Sequence, residues 1–342
     1  MSKKVVIIAE AGVNHNGDLA KALALVEAAA EAGADYIKFQ TFKAEKIVNP
    51  NAQKADYQKK NMQGEGDTQF EMLKKLEMAD HWYPVLMERC EEKGIKFLST
   101  GFDEDSIELL NSLNIPFFKI PSGEITNKPY LKQIASKGKN IILSTGMAYL
   151  SEIESAINIL EGEGILRDNI VVLHCNTEYP TPFEDVNLLA MNQIRDNLRV
   201  NVGYSDHTMG IELAIAAVAL GAVVIEKHFT LDRSLPGPDH AASLEPSQLK
   251  EMIKSIRNIE IALSGSGIKE PSTSELKNVI AVRKSLHYIK DLPANHVITN
   301  FDMIALRPGS GISPMEIDRF IGKKLQKSVQ GSTFVNLKDF YD

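Results

Sequence analysis

With 342 residues, 44% of them hydrophobic and 24% charged, the chain has room for a barrel of about 250 residues and a small second domain. Its formal net charge of −7 argues against general nucleic-acid binding, which needs a basic face, but not against a small anion, because charges beyond about 8–10 Å are screened. No apolar run reaches the ~18 residues of a membrane span, and the stretch after Lys4 is too short for a signal peptide. Cys90 and Cys175 lie in apolar segments and imply no disulfide framework, so the expectation is a cytoplasmic protein without membrane association.

In chain order, apolar or β-branched runs fall at 5–11, 36–41, 96–100, 117–120, 141–145, 170–175, 200–204 and 223–227. Amphipathic segments such as 18–32, 106–113, 150–160, 210–220 and 246–263 alternate with them. Asp18 and Ser151 stand where helices should start, and Gly33, Gly94 and Gly221 where they should stop. Eight strand–helix units predict a (β/α)8 TIM barrel over 1–263, with an open doubly wound sheet as the alternative. The connection at 42–68 is long, polar and lysine-rich, which suggests a lid or a solvated excursion. Residues 264–278 have linker composition, and short strand-like pieces at 285–289, 297–298 and 303–305 place a small second domain at 279–342.

The chemistry-bearing residues gather at the C-terminal ends of the runs, where barrel active sites lie. Two consecutive runs lead into Ser205-Asp206-His207 and Glu226-Lys227-His228. Histidines at matching strand ends point to a shared divalent ion with open positions, acting as a Lewis acid, with Asp206 and Glu226 completing the shell or orienting the imidazoles. Histidine suits several ions, with Mn²⁺ placed first and Mg²⁺ or Co²⁺ as alternatives. Lys38 and Lys119 interrupt otherwise apolar strands. An unpaired buried ammonium costs several kcal/mol, so each must meet an anion. Three readings are open: ion pairs with Glu10, Glu124 or Glu226, a Schiff-base lysine, or a cradle for phosphate and carboxylate shared with Thr100, Ser122 and Ser205. Ser122-Gly123 adds backbone N–H groups at a strand-to-helix turn. The residues alone thus point to a metal-assisted barrel enzyme for a phosphorylated, carboxylated small molecule.

The stretches EAGVNHNG at 10–17, KFQTFK at 38–43, KIPSGE at 119–124, STGM at 144–147, HCNTEYPTP at 174–182, SDHT at 205–208, EKHFT at 226–230, PGPD at 236–239 and RPGSG at 307–311 together resemble the sialic acid synthases, most of all the bacterial N-acetylneuraminate synthases. The C-terminal part looks like the antifreeze-like (SAF, β-clip) domain of that family. The resemblance implies condensation of phosphoenolpyruvate with N-acetylmannosamine and release of phosphate, with metal on His207 and His228. It implies a catalytic set of Glu10, Lys119, Glu124 and Glu226. Lys38, Thr100, Ser122 and Ser205 would hold phosphoenolpyruvate; Gln40, Asn176, Thr177, Tyr179 and Asp239 would hold the sugar, with Tyr179 and Phe183 as an apolar wall. It further implies a domain-swapped homodimer in which Arg307 enters the other subunit's barrel. Two departures matter. Gly101 stands where many members have proline, which predicts looser placement of Thr100. The order Asn176-Thr177 is inverted relative to some members, leaving open which residue faces the ligand. The alternatives are a legionaminate or pseudaminate synthase using another 2-acetamido hexose and, from a different class, a carbohydrate- or ice-binding protein with an inactive barrel.

Overall fold

The computed structural model describes residues 4–54 and 68–341. The chain divides into two compact units, Met1–Ser264 and Gly265–Asp342. In the first, eight strands form one sheet: β1 Val6–Gly12, β2 Tyr36–Thr41, β3 Lys96–Gly101, β4 Phe117–Ile120, β5 Asn140–Ser144, β6 Ile170–His174, β7 Asn201–Asp206 and β8 Val224–His228. The recorded pairings are parallel and run β3-β2-β1-β8-β7-β6-β5-β4, and β3 and β4 lie against each other to complete the ring. This is the predicted barrel, not the open sheet, whose β1 would not pair with the last strand. Its core is aliphatic, built from strand residues such as Ile7, Ile37, Leu98 and Ile225 and from helix faces such as Leu25, Leu86, Leu249 and Ile256.

Local chemistry sets the element ends. Asp18 caps the helix Leu19–Ala32 by accepting from the N–H of Ala20 at 2.8 Å, and Gly33 ends it in the left-handed conformation at φ 89°. Gly12, at φ 51°, lies where the β1–β2 register slips after Glu10, a bulge that turns the chain into the loop over the mouth. β7 runs two residues and β8 one residue beyond the apolar runs, so Ser205, Asp206 and His228 join Glu226 and Lys227 as strand residues that alternate between the barrel interior and the outer layer.

After β2 comes the short helix Ala44–Ile47, and the chain resumes in the helix Gln69–Leu76, whose cap is a Thr68–Glu71 capping box. The centre of the expected lid, 55–67, lies outside the described residues.

In the second unit, β9 Ser285–Tyr288 pairs antiparallel with β10 Met303–Leu306, and single bridges such as Val297 to Lys324 link the remaining segments. A compact core includes Leu286, Tyr288, Ile298, Phe320, Leu325 and Val335. The span of linker composition contains the start of a helix, Thr273–Val282, because Ser272 and Glu275 form a capping box in which Glu275 accepts from the Ser272 N–H at 2.9 Å. No helix among the described residues is long and apolar enough to cross a membrane.

Candidate active site

A cavity of about 730 Å³ opens at the C-terminal ends of the barrel strands. Its floor is a buried cluster of two lysines and two carboxylates. Lys38 on β2 lies 2.8 Å from Glu10 on β1 and 3.5 Å from Glu226 on β8, and donates to Thr100 Oγ1 on β3 at 3.0 Å. Lys119 on β4 lies 3.3 Å from Glu226 and donates to Ser144 Oγ on β5 at 2.7 Å. Ser205 on β7 donates to Glu226 at 2.9 Å. The register explains the meeting: Glu10 is level with Lys38 on one side and His228 on the other, and Ser205 is level with Glu226.

The ion-pair reading of the two lysines therefore holds for Glu10 and Glu226 but not for Glu124. Glu124 sits beyond β4, in the turn Ser122–Glu124, where it accepts from Asn127 Nδ2 at 2.6 Å and reaches the cavity only at its rim. The geometry does not exclude an anion cradle, because the cluster is only partly self-satisfied. Oxygen Oε2 of Glu10 and of Glu226 is buried and meets the Lys38 ammonium, at 2.8 Å for Glu10 but only at 3.5 Å for Glu226. Burial lifts the Glu10 carboxyl above the usual range against the pull of Lys38, and Glu226 adds to the lift. Burial acts on Glu226 in the same direction, but Lys119 and Lys38 outweigh it and hold that carboxyl low. Lys38 stays charged despite burial because Glu10 and Glu226 flank it, whereas burial lowers Lys119. Glu226 is held ionised while Glu10, raised to about 7, gains and loses its proton near neutrality, so this pair of carboxyls can exchange a proton beside the cavity.

His207 and His228 line the same cavity with ring centroids 5.5 Å apart. His207 Nδ1 donates to the backbone carbonyl of Asn176, which fixes the tautomer and leaves Nε2 as an acceptor facing Ser205 Oγ at 3.3 Å. Nδ1 of His228 is buried with no hydrogen-bond partner. Burial holds His207 neutral, down to about 4, and pushes His228 well below its ordinary value with help from His207. Two neutral imidazoles, one oriented by a carbonyl and one with an unpaired ring nitrogen, fit a divalent ion. Among the described residues no group of three His, Cys, Asp or Glu side chains is arranged to hold one. The expected help from Asp206 is absent for a geometric reason. It alternates outward from β7 and accepts from Lys227 at 2.8 Å and from Thr208 N and Oγ1 at 2.9 and 2.7 Å, in a pair sealed from solvent.

The remaining expected residues divide between lining and supporting roles. Gln40 lines the cavity and donates to Glu10 at 3.5 Å. Ser122 lines it and accepts from the Gly146 N–H at 2.9 Å. Thr177 lines it, but Asn176 does not: its Oδ1 accepts from the Glu178 N–H at 2.7 Å, closing the loop whose carbonyl orients His207. Tyr179 packs its ring on His207, with centroids 4.2 Å apart, and edge-on to His228; Phe183 lies on the surface. Asp239 is buried at the cavity edge, and burial raises it to about 6. Beside Thr100, the Gly101 carbonyl accepts from Tyr130 OH at 2.5 Å, and Gly101 keeps register with Thr41. Arg307, in the second unit, donates from Nε to the Val282 carbonyl at 3.1 Å. Ser144 was not singled out from sequence, although its place at the end of an apolar run, two residues after buried Ile142, marks it as inward-facing.

Fold and mouth together define a (β/α)8-barrel protein with a buried lysine–carboxylate floor beside two neutral histidines. Residues 25–269 match the NeuB family and residues 283–331 the SAF domain, and the chain belongs to the NeuB family. It is 52% identical over 326 residues to N,N'-diacetyllegionaminic acid synthase of Campylobacter jejuni, covering 95% of this chain and 97% of that one. It is 50% identical over 329 residues to the enzyme of the same name from Legionella pneumophila, covering 96% and 92%. The solved structure of N-acetylneuraminic acid synthetase from Leptospira borgpetersenii is similar at a TM-score of 0.70 and 35% identity, over 81% of this chain and 90% of that one. The resemblance read from the motifs thus holds for the family. Within it, the relatives at 52% and 50% identity carry the name of the legionaminate alternative, whereas the N-acetylneuraminic acid synthetase is 35% identical.

Proposed function

We propose that the chain is a nonulosonic acid synthase that condenses phosphoenolpyruvate with 2,4-diacetamido-2,4,6-trideoxymannose, forming N,N'-diacetyllegionaminate and phosphate. The carrying observation is 52% identity along nearly the whole chain to a synthase of that product, joined to a cavity floor with the charge such chemistry needs. In this reading Lys38, Lys119, Thr100, Ser122 and Ser144 hold the phosphate and carboxylate of phosphoenolpyruvate through charge-assisted hydrogen bonds. The carbon–carbon bond forms between C3 of phosphoenolpyruvate and the sugar aldehyde. Glu10, raised by burial to about 7, gives its proton to the aldehyde oxygen as it becomes a hydroxyl. The resulting carboxylate takes a proton from the water adding at C2, and phosphate leaves with cleavage of the C2–O bond, carrying off the proton of the C2 hydroxyl as the ketone forms. Glu226 stays ionised, keeping both ammoniums and Ser205 in place. His207 and His228 would hold the divalent ion, Mn²⁺ first, whose chemistry when bound is to polarise the aldehyde. Gln40, Thr177, Tyr179 and Asp239 orient the sugar chain. The same reading takes the chain as a homodimer in which Arg307 of one copy completes the other copy's site.

Phosphate release from phosphoenolpyruvate tests the reaction class. It should require both the aminosugar and a divalent ion, stop on chelation, and give a product with the mass of the nine-carbon acid. A metal-free protein with full turnover would refute the histidine assignment. Borohydride trapping of substrate on Lys38 or Lys119 would replace the cradle with a Schiff base. A protein that binds sugar but never releases phosphate would favour the inactive-barrel alternative.

A further inference from the structure

The cavity is charged on its floor and apolar on one wall. Val13, Phe42, Met72 and Leu76 form a small buried cluster apart from the barrel core. Ile47, Leu73 and Phe102 pack against it but remain half-buried, and all three line the cavity. The wall draws on separate parts of the chain: the short helix Ala44–Ile47, the helix Gln69–Leu76 and the residue after β3. Phe102 is held edge-on to Phe42 with ring centroids 6.2 Å apart. The four buried residues are enough to seat the helix on the barrel mouth. The three half-buried ones line a cavity whose floor carries lysines and carboxylates.

Phosphoenolpyruvate is a small dianion or trianion with no saturated carbon to place there. A fully hydroxylated acceptor would set hydroxyls against carbon with no partner. The acceptor assigned above carries a C6 methyl and two acetamido methyls. We propose that Ile47, Leu73 and Phe102 form an apolar shelf that reads the methyl-bearing end of the acceptor and so determines which sugar is used. This rests on the acceptor reading given under the proposed function and adds the residues that enforce it. The size of the effect is bounded: a methyl or methylene in an apolar pocket changes kcat/KM by about 10–200-fold, and such a pocket rejects an added hydroxyl by about a hundredfold.

The test compares kcat/KM for 2,4-diacetamido-2,4,6-trideoxymannose and N-acetylmannosamine in the wild type, Leu73→Asn, Ile47→Asn and Leu73→Met, with the KM for phosphoenolpyruvate measured in each. The wild type should prefer the trideoxy sugar. Each asparagine variant should lower that preference about tenfold or more, through the acceptor KM, with the phosphoenolpyruvate KM unchanged. Leu73→Met should keep the wild-type ratio. The two asparagine substitutions sit on different helices, so if one variant fails to fold the other still decides. A wild type that prefers the trideoxy sugar, with both asparagine variants keeping its ratio or losing both sugars equally, overturns the shelf and leaves the acceptor reading intact. A wild type that prefers N-acetylmannosamine overturns the acceptor reading, and the shelf with it.

Discussion

Two buried lysine–carboxylate systems meet at strand β8, one on each side of the barrel wall. Outside, Lys227 and Asp206 are fully enclosed and each has more than one partner: Lys227 also donates to the Thr208 carbonyl at 2.6 Å, and Asp206 accepts from Thr208. Inside, Lys38, Lys119, Glu10 and Glu226 are nearly as buried but are more loosely paired, with Lys38 3.5 Å and Lys119 3.3 Å from Glu226, and they face a cavity. The outer pair is closed and structural. The inner group is one that a ligand can complete. Burial and charge do not separate them; satisfaction and access do.

The largest effect should come from the outer pair. Lys227→Met leaves Asp206 buried and unpaired, which should cost about 3–5 kcal/mol in urea unfolding. Lys119→Met leaves Glu226 with Lys38 and should change stability by about 1 kcal/mol or less. If the two variants lose the same stability, the distinction between a closed pair and an open cluster fails.

Next comes the pH dependence at the cavity edge. Burial raises Asp239 to about 6 from 3.8, so the folded state binds more protons than the unfolded state between those values. Its contribution is therefore fully present below about pH 4 and lost as pH rises through about 6, on the order of 3 kcal/mol. The wild-type unfolding midpoint, measured against Asp239→Asn across that range, should fall more steeply with rising pH. Parallel curves would mean that Asp239 is not held neutral by burial.

The inner cluster should show its role in turnover. Lys119→Met removes a charge-assisted contact worth about 1.5–3 kcal/mol, or roughly tenfold to a hundredfold in kcat/KM for phosphoenolpyruvate. Lys227→Met, assayed where it remains folded, should lower the same parameter far less. The smallest signal concerns Arg307. Mixing Arg307→Ala with His207→Ala subunits should restore a fraction of activity if sites are completed between copies. No recovery after verified subunit exchange would assign Arg307 a role within its own chain or none.

The eight strands were legible in sequence because buried parallel strands read as apolar runs. Lys38 and Lys119 stood out because an ammonium within such a run needs a partner. Choosing the partner depended on alternation. Glu10 and Glu226 share the inward parity of their strands, whereas Glu124 lies past the end of β4, where parity no longer applies. Asp206 was misread for the same reason in reverse. It is one residue from both Ser205 and His207, and only strand continuation through Asp206 reveals that it points outward. Thr177 and Asn176 lie in a loop, where periodicity offers nothing and a turn hydrogen bond decides. The apolar shelf was hidden because its three residues are far apart in sequence: Ile47 lies in the polar stretch 42–68, Leu73 on the helix Gln69–Leu76 and Phe102 just after β3.

The most direct measurement is kcat/KM of the wild-type protein, by phosphate release with saturating phosphoenolpyruvate and Mn²⁺, for the two acceptor sugars side by side. The account predicts that 2,4-diacetamido-2,4,6-trideoxymannose exceeds N-acetylmannosamine by about tenfold or more, since an apolar wall discriminates on that scale. An equal or greater value for N-acetylmannosamine would contradict it.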